Sequence, residues 1–479
     1  MSATVCDGGD RRNGRHSPRM SLPVSTAVDS PNPLNRRAWF DVVVVGGGPA
    51  GIGAAVGAGR MGARVALIER HPVLGGMGTA ALVNNFCPGH YDGKRLIIGG
   101  VFGEIRERLI RRKAIYTFDR NAANGLGAEQ YNPDIFMEIA TAMCREAGVE
   151  LFLDRTIGDL EFGGDKTGIA LGTGERFDAH TVVDATGDGS VAFRAGVPFT
   201  FGRASDHAVM PLTYCYLMGP IDLDRAKRET PKFVLHDPDV GEDFYFLSGW
   251  HSDVDEKIRA ARERGELSIP RDHISCIASI PGNSRHASVN YGRVPIGDPT
   301  DPAQLAAAEE EGKRQVEDGL RFFRNHLPGC EEVELVQLAR QIGVRESRQI
   351  QGLYTLTGED ALSCRQFDDA IAQGHHSVDI HEPGSDRTTF REIPFGQHYD
   401  IPWRCLVPRE GPQNLVVGGR CISGTQEAMA SFRVSPTVMA IGEAAGVTAA
   451  SAAHRDCPVR DVGPEAVQER LLATGGILD

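Results

Sequence analysis

Residues 1 to 37 show no hydrophobic period and are rich in Arg, Ser, Pro, Asp and Gly, which reads as a disordered leader. Met20 is a second candidate start beside Met1. From Phe40 the pattern changes. "FDVVVV" is a short β-branched run, the mark of a strand buried on both faces. "GGGPAGIGAAVGAGRMG" follows with small residues at helical spacing, and "ARVALIER", closing on Glu69, reads as a second strand. Together they predict a βαβ unit.

Further along, Ile135, Phe136, Ile139 and Met143 recur at helical spacing between Asn132 and Gly148. Asn132 suits the N-cap, Pro133 the first helical turn, and Gly148 the C-terminal stop. "VELFLD" is the next strand. A small antiparallel sheet is expected around Gly163–Gly164 and Gly172–Gly174, then a buried strand "TVVDAT". Residues 200 to 395 mix strand and helix signals, with "DPAQLAAAEEEGKRQVEDGLRFFRNHLPG" the clearest helix. The chain then returns to a buried strand and glycine turn, "NLVVGGR", and a long helix, "VSPTVMAIGEAAGVTAASAA". No internal repeat is visible.

Arg36 and Arg37 precede the first apolar run, as in a twin-arginine export signal. An export signal needs an uninterrupted apolar segment and a small-residue cleavage site. This run is only as long as a strand and ends at a glycine turn, so it reads as the start of a fold in a cytoplasmic protein. The rest of the composition agrees. The 479 residues are 24% charged and 41% hydrophobic with net charge −13, so no basic surface invites nucleic acid. The 10 cysteines form no CxxC pair, which suggests free thiols and no iron–sulfur cluster. No apolar run reaches membrane-spanning length.

Gly46-x-Gly48-x-x-Gly51 follows the first strand and opens the first helix, with Glu69 closing the second strand. Gly46 makes the tight turn, Gly48 lets the backbone approach a pyrophosphate, and Gly51 lets helix and strand pack closely. The helix start at Pro49 and Ala50 offers free N–H groups to phosphate. Glu69 can accept from both ribose hydroxyls, which argues against a 2′-phosphate there. The fingerprint alone does not separate FAD from NAD. Three later features favour FAD: the loop "RHPVLGGMGTA", the strand-to-turn "DATGDGS", and "NLVVGGRCISG" before the long helix.

With "GGVFGEI", "DATGDGSVAFRAG", "IGVRESRQIQG" and "DIPWRCLVP", these segments make the chain resemble the bacterial FAD-dependent oxidoreductases, distant relatives of the fumarate reductase flavoproteins, over about residues 40 to 475. The resemblance implies an α/β fold: a Rossmann-like FAD-binding domain (38–200 and 400–460), an inserted α+β substrate domain (201–399) and a C-terminal helix (461–479). It implies that Arg70, Gly75, Gly76 and Thr79 lie along the FAD, that Ala185, Thr186 and Gly187 pass its adenosine half, and that Gly419 and Arg420 lie near its ribityl chain and pyrophosphate. Ser435 and Thr437 would start a helix whose N-terminus faces the flavin, where Glu427 and Arg433 also stand. FAD is expected to be bound non-covalently, with no metal.

Arg345, Glu346 and Arg348 are the catalytic candidates. An arginine there can bind a substrate carboxylate and Glu346 can orient it or move a proton, unless the stretch is a turn held by its own ion pair. His375, His376, His381 and His398 read as surface or loop residues, with the option that one acts as a base. Cys87 and His90 are open between lining the flavin pocket and plain packing. The expected reaction is hydride transfer from a small-molecule substrate to FAD, with a possible external electron acceptor. A flavin monooxygenase and an electron-transfer subunit of a complex are the alternatives. "GDGSVAFR" partly resembles a hydroxylase fingerprint, but its spacing to Arg194 is one residue short.

Overall fold

The computed structural model describes residues 38–117, 129–249 and 251–479; the leader expectation lies outside them. Strand β1 (Ala38–Val45) is followed by helix α1 (Pro49–Gly59) and strand β2 (Val65–Glu69). Helix α2 (Pro133–Glu146) begins at Asn132, whose side chain accepts from the Asp134 and Ile135 amides. Strand β3 (Glu150–Leu153) follows, then the hairpin of β4 (Ile157–Phe162) and β5 (Thr167–Leu171), and β6 (Arg176–Asp184). These strands form one sheet in the order β3-β2-β1-β6-β5-β4. β3, β2, β1 and β6 run parallel, while β5 and β4 join antiparallel.

A second, six-stranded antiparallel sheet comes from the middle of the chain. Its strands are β7 (Tyr216–Gly219), β8 (Val234–Asp237), β9 (Glu242–Gly249), β10 (Ile274–Ile280), β11 (Asn283–Asn290) and, after helix α3 (Pro302–His326), β12 (Glu334–Leu338). The order is β8-β9-β10-β11-β7-β12. With Val316, Leu320 and Phe323 of α3 it builds its own apolar core.

The hairpin of β13 (Val378–His381) and β14 (Thr388–Arg391) follows. The chain then returns to the first sheet. β15 (Leu415–Val417) pairs parallel with the last residues of β6, beyond the point where β5 leaves it. Helix α4 (Gln426–Phe432), the long helix α5 (Ser435–Arg455) and helix α6 (Pro464–Ala473) complete the fold. α1 and α5 cross at small residues. A Cβ on Gly53 would meet the Met439 carbonyl at 2.2 Å, and one on Gly442 the Ala50 carbonyl at 2.0 Å. Only glycine lets these helix backbones touch.

Val45, Asp184 and Val417 stand in register, with Ile68 beside Val45, so the parallel strands end together at one edge. In open α/β sheets ligands bind outside that edge. Among the described residues no helix is long and apolar enough to cross a membrane.

Candidate functional site

The turn after β1 is shaped for close approach. Gly46 has φ +103°, and a Cβ there would stand 2.4 Å from the Ala185 carbonyl. A Cβ on Gly48 would meet nothing nearer than 3.9 Å, so this glycine borders open space. Gly48 caps α1 without a side-chain hydrogen bond, and α5 likewise starts at Val434 without one. Both helix starts therefore keep amide donors for an anion.

A groove runs along these turns. Gly46, Gly48, Pro49, Ala50, Glu69, Arg70, Gly76, Ala185, Thr186, Gly187, Gly419, Arg420 and Ser435 line it. Glu69 accepts from the Gly47 amide at 2.6 Å and the His71 amide at 2.8 Å, which fixes its carboxylate at the end of β2. Asp184, whose pKa burial raises, accepts from the Thr186 and Ala192 amides at 3.0 and 2.8 Å and so shapes the second turn. Arg420 reaches Asp188 at 2.6 Å and keeps its buried Nε without a partner.

Four expected residues sit behind the groove wall. Gly51 packs on the Gly46 carbonyl. Gly75, at φ +108°, donates its amide to the Gly47 carbonyl at 2.8 Å. Thr79 turns its hydroxyl to the Leu74 carbonyl at 2.6 Å. Thr437 is buried and its Oγ1 has no partner. Groove residues beyond those named from sequence include His71, Met77, Asp188, Gln341, Val344 and Val438, and an adjoining pocket adds Arg155 and Thr156 beside Glu69, Arg70 and Arg194. Asp188 and Arg194 carried a signal in "DATGDGSVAFR"; Arg155 and Gln341 carried none.

A chamber of about 600 Å³ adjoins the groove and shares Met77, Val344, Arg420, Arg433 and Ser435 with it. Phe233, Leu235, Phe246 and Phe390 give it apolar walls. Arg345, Arg433, Arg420, Lys232 and Asp379 supply its charge, and His376 and His381 add imidazoles. Cys87 lines it too, with its pKa pushed up to about 11 by burial. His90 is instead buried against Phe102 and Glu129.

Arg345, Glu346 and Arg348 occupy three different environments. Arg345 borders the chamber and donates to the Pro211 carbonyl at 2.7 Å and Thr213 Oγ1 at 2.8 Å. Burial, then repulsion from Arg433 and Arg271, pulls its pKa down to about 9. Glu346 is buried away from the chamber, accepting from the Met210 amide and the Gln426 side chain at 2.9 and 2.8 Å; burial raises its pKa. Arg348 donates to Thr300 Oγ1 at 2.8 Å and stacks on Phe193 at 4.1 Å.

The reading of the histidines as surface residues does not hold for His381, which closes β13 at 5% exposure. Strand pairing with β14 carries it inward. Burial and the Arg345 charge hold its pKa well below the imidazole range. Asp379 stands 3.4 Å from His381 and 3.2 Å from Arg433. Burial alone would raise its pKa, but His381 and Arg433 hold this carboxylate far below its usual range. Arg271, 1% exposed, bonds Ser275 of the chamber wall and leaves Nε and one terminal nitrogen without partners. Among the described residues the chamber is thus rich in buried guanidinium around a single carboxylate, Asp379.

A parallel sheet with a glycine-turn groove at its strand ends, opening into a polar chamber, defines a dinucleotide-binding redox fold. The chain belongs to the FAD dependent oxidoreductase family, whose model matches residues 41–471. It is therefore an FAD-dependent enzyme, and its cofactor is FAD. The residues present fit that group: two uncapped helix starts, an open space over Gly48, and the partnerless Arg420 Nε and Thr437 Oγ1 all border or abut the groove. Among solved structures, the chain is similar to a geranylgeranyl bacteriochlorophyll reductase-like protein from Thermoplasma acidophilum, at 16% identity over 91% of this chain and 83% of that one, TM-score 0.42. It is similar to p-nitrophenol 4-monooxygenase from Pseudomonas putida, at 12% identity over 92% and 87%, TM-score 0.44. It is also similar to glycine oxidase from Geobacillus kaustophilus, at 13% identity over 85% and 95%, TM-score 0.40.

Proposed function

We propose that this oxidoreductase is a dehydrogenase or oxidase that removes the elements of hydride and proton from a small anionic substrate in the chamber. The observation that carries the reading is the shared wall: Met77, Val344, Arg420, Arg433 and Ser435 border both the dinucleotide groove and the chamber. When bound, FAD supplies the two-electron acceptor.

The chain's own residues would do the rest. Glu69 and the Gly46–Gly51 turn hold the adenosine and pyrophosphate, non-covalently. The α5 start offers its amides to the flavin end, where they favour negative charge. Arg345 receives the substrate's carboxylate, since its two donated bonds go to neutral oxygens and, among the described residues, it forms no direct ion pair. Phe233, Phe246 and Phe390 exclude water from the substrate's body. The nine cysteines among the described residues are all free thiols, which supports a reducing compartment such as the cytoplasm.

The test is the visible spectrum of the purified protein, before and after denaturation and filtration, then under anaerobic conditions with 2-hydroxy and 2-amino carboxylates. A flavin released by denaturation and bleached by one of these carboxylates supports the reading. Rapid bleaching by NADH alone, followed by oxygen insertion into an added aromatic compound, overturns it in favour of a monooxygenase.

A further inference from the structure

His376 lies in the chamber wall beside the groove. Its Nδ1 is 2.9 Å from the Pro88 carbonyl. A carbonyl oxygen can only accept, so the proton of the neutral ring sits on Nδ1 and Nε2 carries the lone pair. Among the described residues Nε2 has no hydrogen-bond partner, and it is not among the enclosed partnerless atoms, so it borders open chamber space. The His376 backbone is held in place: Ser431 Oγ donates to the His376 carbonyl, and Tyr399 pairs with Ser431 at 2.7 Å.

The other chamber imidazoles are placed differently. His381 has Nε2 at 3.4 Å from Asp379 and Nδ1 at 3.3 Å from Thr388 Oγ1, so both nitrogens are engaged. His251 bonds the Ser248 carbonyl and packs on Phe233.

We propose that His376 is the proton acceptor of the oxidation, taking on Nε2 the hydroxyl or ammonium proton of a carboxylate substrate seated on Arg345. This rests on the reading given under Proposed function. The step balances: the substrate's C–H leaves with its electron pair to FAD, its O–H or N–H proton goes to Nε2, and a C=O or C=N bond remains. The groups that set the base are Asp379 and His375 on its own segment, Arg433 from the turn before α5, and the Pro88 carbonyl. Burial lowers the His376 pKa, Asp379 opposes that, and Arg433 adds to it, so the ring is neutral and able to accept at neutral pH.

The experiment uses the FAD-loaded protein, wild type and His376→Asn, whose amide N–H can still reach Pro88. The first readout is 15N NMR of histidine-labelled protein, with the His376 signals assigned by their absence in the variant. A protonated Nδ1 and a bare Nε2 at pH 7 are expected. The second is anaerobic flavin reduction by mandelate and by phenylglycine across pH 5–9. The variant is expected to keep its FAD absorbance, to slow by roughly 100- to 10,000-fold, and to lose the acidic limb of the pH profile. An Nε2–H tautomer at pH 7, or a variant that keeps the limb and the rate, overturns the proposal. If neither probe bleaches the wild type, the carboxylate reading fails, and this proposal falls with it when the NMR titration also shows His376 charged at pH 7.

Discussion

The carbonyl oxygen of Gly46 stands 1.7 Å from the point that a Cβ on Gly51 would occupy. The two glycines of one turn thus close the gap between β1 and α1 by backbone contact alone. A methyl group there cannot be absorbed by a side-chain rotation. Gly51→Ala is expected to destabilise the protein by ~1–3 kcal/mol and to purify with little FAD. Thermal melting and the flavin-to-protein absorbance ratio check this; a variant with full flavin content would refute the role of the turn.

Arg345 presents a positive charge to the chamber with no carboxylate partner of its own. Arg345→Met is expected to lower kcat/KM for a carboxylate substrate by roughly 10- to 100-fold, the worth of a hydrogen bond to a charged group. Neutral amide analogues of the substrate should lose far less. Equal losses for acid and amide would remove Arg345 from substrate binding.

Glu443 on α5 is buried, and burial raises its pKa to about 7 from an ordinary 4.5. Below about 4.5 both the folded and the unfolded chain carry the proton; between 4.5 and 7 only the folded chain does. Stability is therefore greatest at the acid end of this window and falls as pH rises through it, by roughly 3 kcal/mol. Glu443→Gln keeps an acceptor for the Val101 amide, which lies 2.8 Å from the carboxylate. Its melting temperature should fall less than that of the wild type between pH 5 and pH 8. Parallel melting curves for the two proteins would contradict the assignment.

Among the described residues Asp379 is the only carboxylate in the chamber wall. Asp379→Asn leaves Arg433 and His381 beside Arg345 without a counter-charge. The expected cost is roughly 3–5 kcal/mol, as for one partner removed from a buried pair. Chemical denaturation at pH 7 measures it. An added carboxylate such as benzoate should restore part of the loss by binding the exposed guanidinium groups; a variant as stable as the wild type would show that the pairing with Arg433 carries little.

The sequence by itself determined the parts whose causes are local. Alternation, β-branching and glycine turns mark β1, β2 and β6. The 3.6-residue period and the Asn132 cap mark α2. The glycine fingerprint with Glu69 marks the groove, because a phosphate needs small residues at fixed spacing within one turn. The chamber had no such mark. Its walls come from segments as far apart as Met77, Ser275, Arg345 and His376, brought together by strand pairing and the return of the chain to β6. Arg345, Glu346 and Arg348 look like one cluster when read in line, but the fold sets each against different partners. His376 differs from His381 only through which carbonyl or carboxylate the fold sets against each ring nitrogen. For His376 tertiary structure alone decided that, because its partner Pro88 lies far away along the chain and leaves no periodic trace in it.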